Sequence, residues 1–132
     1  MLTIYIGQRN LLRMATMQEP TFLILTSLAA GPRHGYGITQ EVTELSEQTV
    51  HLRAGTLYGA LDRLIEQELI AVDRQEVVDG RLRRYYRLTD AGAGRLAEEA
   101  ARLSRHAAAA QRRLRSRPDT AFGFAAAAGA FA

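Results

Sequence analysis

The 132-residue chain contains no cysteine, no tryptophan and no lysine. Without thiols it has no disulfides, no thiolate metal sites and no thiol redox switch. His34, His51 and His106 are scattered, with no i, i+4 pair and no carboxylate cluster at ligand spacing, so no metal or other cofactor is expected. Ser27, Ser46, Ser104 and Ser116 lack the base and orienter that nucleophilic catalysis needs, and the carboxylates are scattered, which argues against an enzyme. No apolar run reaches the roughly 18 residues that span a bilayer. The N-terminus also lacks a basic region leading into an apolar segment and cleavage site. A cytoplasmic protein with no membrane partner is the expectation.

All 17 basic residues are arginine, whose planar fork suits bidentate contacts with phosphate or guanine. The net charge is only +3, so where the arginines cluster matters more than their sum. They cluster just after Asp79-Gly80, as Arg81, Arg83, Arg84 and Arg87, with no acidic residue before Asp90. Residues 70–78 and 82–88 are β-rich, and Asp-Gly between such runs is a strong hairpin signal. Alternation puts Leu82, Arg84, Tyr86 and Leu88 on one face and Arg83, Tyr85 and Arg87 on the other. Leu88 and Tyr86 are assigned to the core, and Arg81, Arg83 and Arg84 to phosphate; a merely solvated strand face is the alternative.

Before the hairpin, Leu57, Leu61, Leu64 and Ile65 form one apolar helical stripe. Thr56, Tyr58, Gly59, Asp62, Arg63 and Glu66 lie off it. Gly55, Thr56 and Gly59 allow close backbone approach, as a helix entering the major groove requires. Two further helices precede this one. The first runs from Glu19-Pro20 to Gly31-Pro32 and is almost all core; the second begins near His34 and carries Ile38, Val42 and Leu45 at i, i+4 and i+7. The start of that second helix presents Tyr36, whose hydroxyl either meets phosphate beside the helix dipole or packs under the loop. Val50 and Leu52, in the linker of residues 46–55, are expected to form a short first strand of a three-strand sheet. The predicted order is thus helix, helix, short strand, helix, strand, strand.

Thr89 is placed to cap a last helix, with Asp90 in its first turn. Leu96, Ala100, Leu103, Ala107, Ala110 and Leu114 alternate spacings of four and three, an a/d seam. A seam this long exceeds what so small a domain can cover, which implies a second copy; folding back on its own domain is the alternative. The fold class expected is mainly α with a small β-hairpin wing: a winged helix-turn-helix over residues 17–89 and a long C-terminal dimerisation helix over 90–116.

Met17-Gln-Glu-Pro-Thr-Phe-Leu-Ile-Leu, His34-Gly-Tyr-Gly-Ile, Gly55-Thr-Leu-Tyr-Gly-Ala-Leu-Asp-Arg-Leu and Gly80-Arg-Leu-Arg-Arg-Tyr-Tyr-Arg-Leu-Thr-Asp-Ala-Gly occur in that order. Together they resemble the PadR family of bacterial transcriptional regulators, over about residues 17–114. The resemblance implies a homodimeric winged-helix repressor on a two-fold DNA operator, in a family some of whose members release DNA on binding a small-molecule effector. It carries the DNA contacts to Tyr36, Gly55, Thr56, Tyr58, Arg81, Arg83 and Arg84, and Arg63 joins them from the exposed face of the recognition helix. Gly59 departs from the pattern, since many members have proline there. Tryptophan being absent, an indole sandwich for an effector is unsupported, while a dimer-interface pocket near Phe22 and Leu103 has plain core as its alternative. A winged-helix protein-interaction module without an operator is the competing reading; it gives no reason for an acid-free basic tip.

Residues 1–16 are expected to be either a dimer arm or a product of an upstream start site, with Met14 and Met17 as candidate starts. Residues 117–132, Ala/Gly-rich after Pro118, are expected to form a mobile tail, with docking of Phe122, Phe124 and Phe131 on the dimer as the alternative.

Overall fold

The computed structural model describes residues 17–118. The expectations for the N-terminal arm and for the C-terminal tail beyond Pro118 lie outside them. Within this range the chain forms α1 (Glu19–Ala29), β1 (Arg33–His34), α2 (Gly35–Leu45), α3 (Ala54–Glu66), β2 (Ile70–Val78), β3 (Arg81–Leu88) and α4 (Asp90–Arg115). The described residues up to Ala100 form one compact unit, and those from Ala101 form another.

In the first unit three helices pack on a small antiparallel sheet of order β1-β3-β2. Leu23, Ile24, Leu25 and Leu28 of α1 meet Ile38 and Val42 of α2 and Leu57, Ala60, Leu61 and Leu64 of α3; Ile70 and Tyr86 close this core from the sheet. The predicted stripes therefore point inward except at Leu45, which stands 41% exposed at the last position of α2, and the winged-helix class read from the sequence is the fold observed. Pro20 stands in the first turn of α1, where its missing N–H costs nothing. A left-handed glutamate stands two residues beyond the end of each of α2 and α3. Glu47 and Glu68 adopt left-handed φ of 52° and 61°, and Gln48 and Leu69 send their N–H groups back to Thr43 and Leu64 at 2.8 and 3.0 Å. These are Schellman stops built without glycine.

One expectation is corrected. The third strand is Arg33–His34, paired with Tyr86 and Tyr85 of β3, and residues 50–52 form no strand. The order is helix, short strand, helix, helix, strand, strand. Around Val50 the backbone is satisfied locally: the Ser46 hydroxyl oxygen accepts the Val50 N–H at 2.9 Å, and the Thr49 hydroxyl donates to the Ser46 carbonyl at 2.7 Å. Val50 and Leu52 use their side chains against the core instead.

The hairpin turns at Asp79 (φ 52°) and Gly80 (φ 76°), two left-handed residues in succession, as a type I′ turn demands. Asp73 is an extra residue in β2, since Val72 opposes Tyr86 and Arg74 opposes Tyr85. This bulge switches the alternation of β2, so that Arg74 and Glu76 join Tyr85 on one face and Gln75 and Val77 join Arg84 on the other. Thr89 then starts α4 as expected: its Oγ accepts the Gly92 N–H at 3.0 Å while its hydroxyl donates to the Glu68 carbonyl at 2.7 Å. Leu96 packs on the core. Glu99 is buried, whereas Ala100, Ala107 and Ala110 are exposed, as are Leu103 and Leu114.

Candidate nucleic-acid interface

One cleft of about 750 Å³ gathers the sequence-predicted residues most directly. It is lined by Tyr36 at the start of α2, Tyr58 from α3, and Arg81, Arg83 and Arg84 from the wing, together with His34, Gly35, Val78, Leu82 and one carboxylate, Asp79 of the turn. Three elements distant in sequence thus converge on one basic, phenol-lined slot. Its far wall is the hairpin tip, held up by the β2/β3 ladder.

Tyr58 occupies its place because Gly35 has no side chain. A Cβ on Gly35 would collide with the Tyr58 hydroxyl, so the ring lies against the first residue of α2, at the positive end of the helix. Tyr36 is 67% exposed and Tyr58 47%. The packing alternative for Tyr36 is therefore not what the structure shows, while Tyr58 packs and remains open at once. Gly35 and Ile38 of that turn are buried, and Tyr36 is its exposed residue.

The wing arginines differ in setting. Arg84 lies near Tyr86, as do Tyr58 and Asp62; burial pushes the Tyr86 phenol above its usual range, and the nearby Arg84 charge partly offsets this. Arg83 stands opposite Glu76 in the register, near His34. Partial burial holds the His34 imidazole below its ordinary value of 6.5, and the Arg83 charge lowers it further. Arg81 is exposed beside the turn. Gly55 and Thr56 are exposed in the first turn of α3, with open space around Gly55. Arg63 lies in the last turn of α3, its guanidinium running back along the helix toward Gly59. These three lie outside the cleft, on the free surface of α3.

Several contributors were not singled out from sequence. Tyr85 forms the hub of the wing base: Arg74 stacks on its ring at 3.9 Å, the His34 ring lies 5.4 Å away, and its hydroxyl donates to Glu76 Oε1 at 2.8 Å. The bulge that brings Arg74 and Glu76 to this face has no signature in the residue pattern. Arg33, by contrast, is structural: its Nε donates to the Ser27 carbonyl at 2.8 Å, and it pairs with Glu41 at 3.5 Å. Among the described residues no group of histidines and carboxylates has metal-site geometry, and no helix is long and apolar enough to cross a membrane.

Comparison with known proteins gives consistent relatives. The profile of the transcriptional regulator PadR-like family matches residues 24–98. The transcriptional regulator Rv3488 of Mycobacterium tuberculosis is 45% identical over 76 residues, covering 58% of this chain and 67% of that protein. A PadR family transcription regulator from hypervirulent Clostridium difficile superposes with a TM-score of 0.62 at 25% identity, over 74% of this chain and 99% of that one. Bacillus subtilis PadR, solved in complex with operator DNA, superposes with a TM-score of 0.55 at 26% identity, over 61% of this chain and 46% of that one.

Proposed function

Because the chain belongs to the PadR-like family of transcriptional regulators, we propose that it is a sequence-specific DNA-binding regulator, acting as a homodimeric repressor on a two-fold operator. The observation that carries this reading is the convergence of Tyr36, Tyr58, Arg81, Arg83 and Arg84 on one open cleft. Phenol hydroxyls, a helix start and guanidinium groups are the donors that hold phosphate oxygens. In this reading the start of α3, with Gly55 and Thr56, enters the major groove, and Arg63 meets the groove wall further along the same helix. The operator complex of the Bacillus subtilis relative supports the choice of partner.

Two copies joined along Leu96, Ala100, Leu103, Ala107, Ala110 and Leu114 would present two such surfaces, as a two-fold operator requires. Five of these, Ala100, Leu103, Ala107, Ala110 and Leu114, are exposed in the single chain, which suits a seam awaiting its partner. Repression implies a signal that lifts it, and a small-molecule effector is the simplest.

The test is binding to a duplex from the region upstream of its own gene across a salt series. Affinity falls steeply with salt, and replacing Arg81, Arg83 and Arg84 by alanine makes the slope shallower by about one for each arginine that touches phosphate. Absent or salt-independent binding overturns the operator reading in favour of a protein-interaction module.

A further inference from the structure

The tip of the wing carries two aliphatic side chains where a solvated hairpin would carry polar ones. Val77 and Leu82 are 71% and 63% exposed. They are directly opposed in the β2/β3 register, so their side chains stand on one face with Cβ atoms about 5 Å apart. Core packing does not account for them, because Gln75 and Arg84 separate them from Tyr86, the nearest buried residue of that face. Turn chemistry does not either, since Asp79 and Gly80 supply it.

Their surroundings indicate what they meet. Arg84 is the next residue on their own face, and Arg81 and Arg83 flank Leu82 along β3. The nearby carboxylates are Asp79, in the turn, and Glu76, engaged by Tyr85 and Arg74 on the opposite face. The tip is therefore apolar at its centre and cationic around it. The wall of a DNA groove is complementary, with deoxyribose carbons between anionic phosphates. Leu82 also lines the same cleft as Tyr36 and Tyr58, so a duplex seated there passes the tip.

We infer that Val77 and Leu82 form an apolar wing tip that packs on deoxyribose carbons of the operator backbone, beside the segment held by α3. The inference rests on the operator reading above and adds to it a contact of different physics. Arginine–phosphate contacts release counterions and weaken with salt. Burial of aliphatic carbon against sugar does not, and it carries no base code.

The test is a double variant, Val77→Thr with Leu82→Thr, which leaves a strand-favouring β-branched side chain at each position and removes apolar surface. Both sites are exposed, so the thermal midpoint of the free protein stays unchanged. Affinity for the upstream duplex falls on the order of tenfold at every salt concentration, with the slope of the salt series preserved. Unchanged affinity, or a shallower slope like that of the arginine variants, overturns the inference and leaves the operator reading standing. So does dissociation of a wild-type dimer by the substitutions in sedimentation, which would assign the pair to a second copy, or loss of binding to anionic lipid vesicles in place of DNA. A wild-type protein that binds no duplex at any salt overturns both.

Discussion

Gly92 and Gly59 are both helical glycines, and they make opposite demands. A Cβ on Gly92 would overlap the Leu69 carbonyl oxygen and come within 2.8 Å of Leu88 Cδ1. That carbonyl is already in use, accepting the Thr89 N–H at 3.1 Å. Gly92→Ala must therefore move backbone, at a cost of about 1–3 kcal/mol by analogy with overpacked cores. At Gly59 the nearest atom to an added Cβ is the Arg63 guanidinium, 3.6 Å away and flexible. Gly59→Ala should stabilise α3 by about 0.4–1 kcal/mol through the unfolded chain. Chemical denaturation of the two variants checks this, and the reverse order would refute the packing described. The cap at Thr89 was legible because its bond to Gly92 is local. The reason position 92 tolerates no side chain was not, because the obstructing carbonyl comes from the far end of the hairpin.

At the scale of the element, the wing was legible in outline and opaque in its faces. Asp79-Gly80 located the turn, and the alternation of β3 placed Tyr86 in the core, where it is 3% exposed. The bulge at Asp73 escaped the pattern because an extra residue is accommodated by pairing geometry and not by any residue type. Its consequence is the cluster of His34, Arg74, Glu76 and Tyr85 that ties the wing to the start of α2. Burial lowers the pKa of His34, and the charge of Arg83 lowers it further. The unfolded chain therefore takes up a proton near pH 6.5 that the folded chain resists. His34 contributes stability in full above that pH and loses it as the pH falls toward the lowered value. An NMR titration of the free protein should place the His34 midpoint below 6.5, and a midpoint above it would mean that the ring is not desolvated. The strand at Arg33–His34 escaped the pattern for a related reason. A two-residue strand has no periodicity, and β3 selects it by offering an open edge.

For the whole molecule, the proposed dimer makes the seam of α4 the feature that sets whether one reading surface or two faces an operator. Leu103 is 40% exposed and Leu114 65%, apolar surface that a second copy would cover. Leu103→Glu puts a charge in the middle of that seam, where an unpaired carboxylate is costly to bury. The variant should sediment as a monomer and lose operator binding, because half-sites about one helical turn apart then have to be held independently. An intact dimer would remove the seam from the interface.

The sequence by itself determined the helical stripes, the place of the hairpin turn, the cap at Thr89, the basic charge of the wing tip and the family. Each is encoded within a few residues, by helical or strand periodicity or by the backbone freedom of Asp-Gly. Only the tertiary structure decided that Tyr36, Tyr58, Arg81, Arg83 and Arg84 share one cleft, that Gly35 makes room for Tyr58, and that Val77 and Leu82 stand exposed as a pair. Those facts depend on which elements become neighbours and in what register. That is set by packing across the core, which no local pattern records.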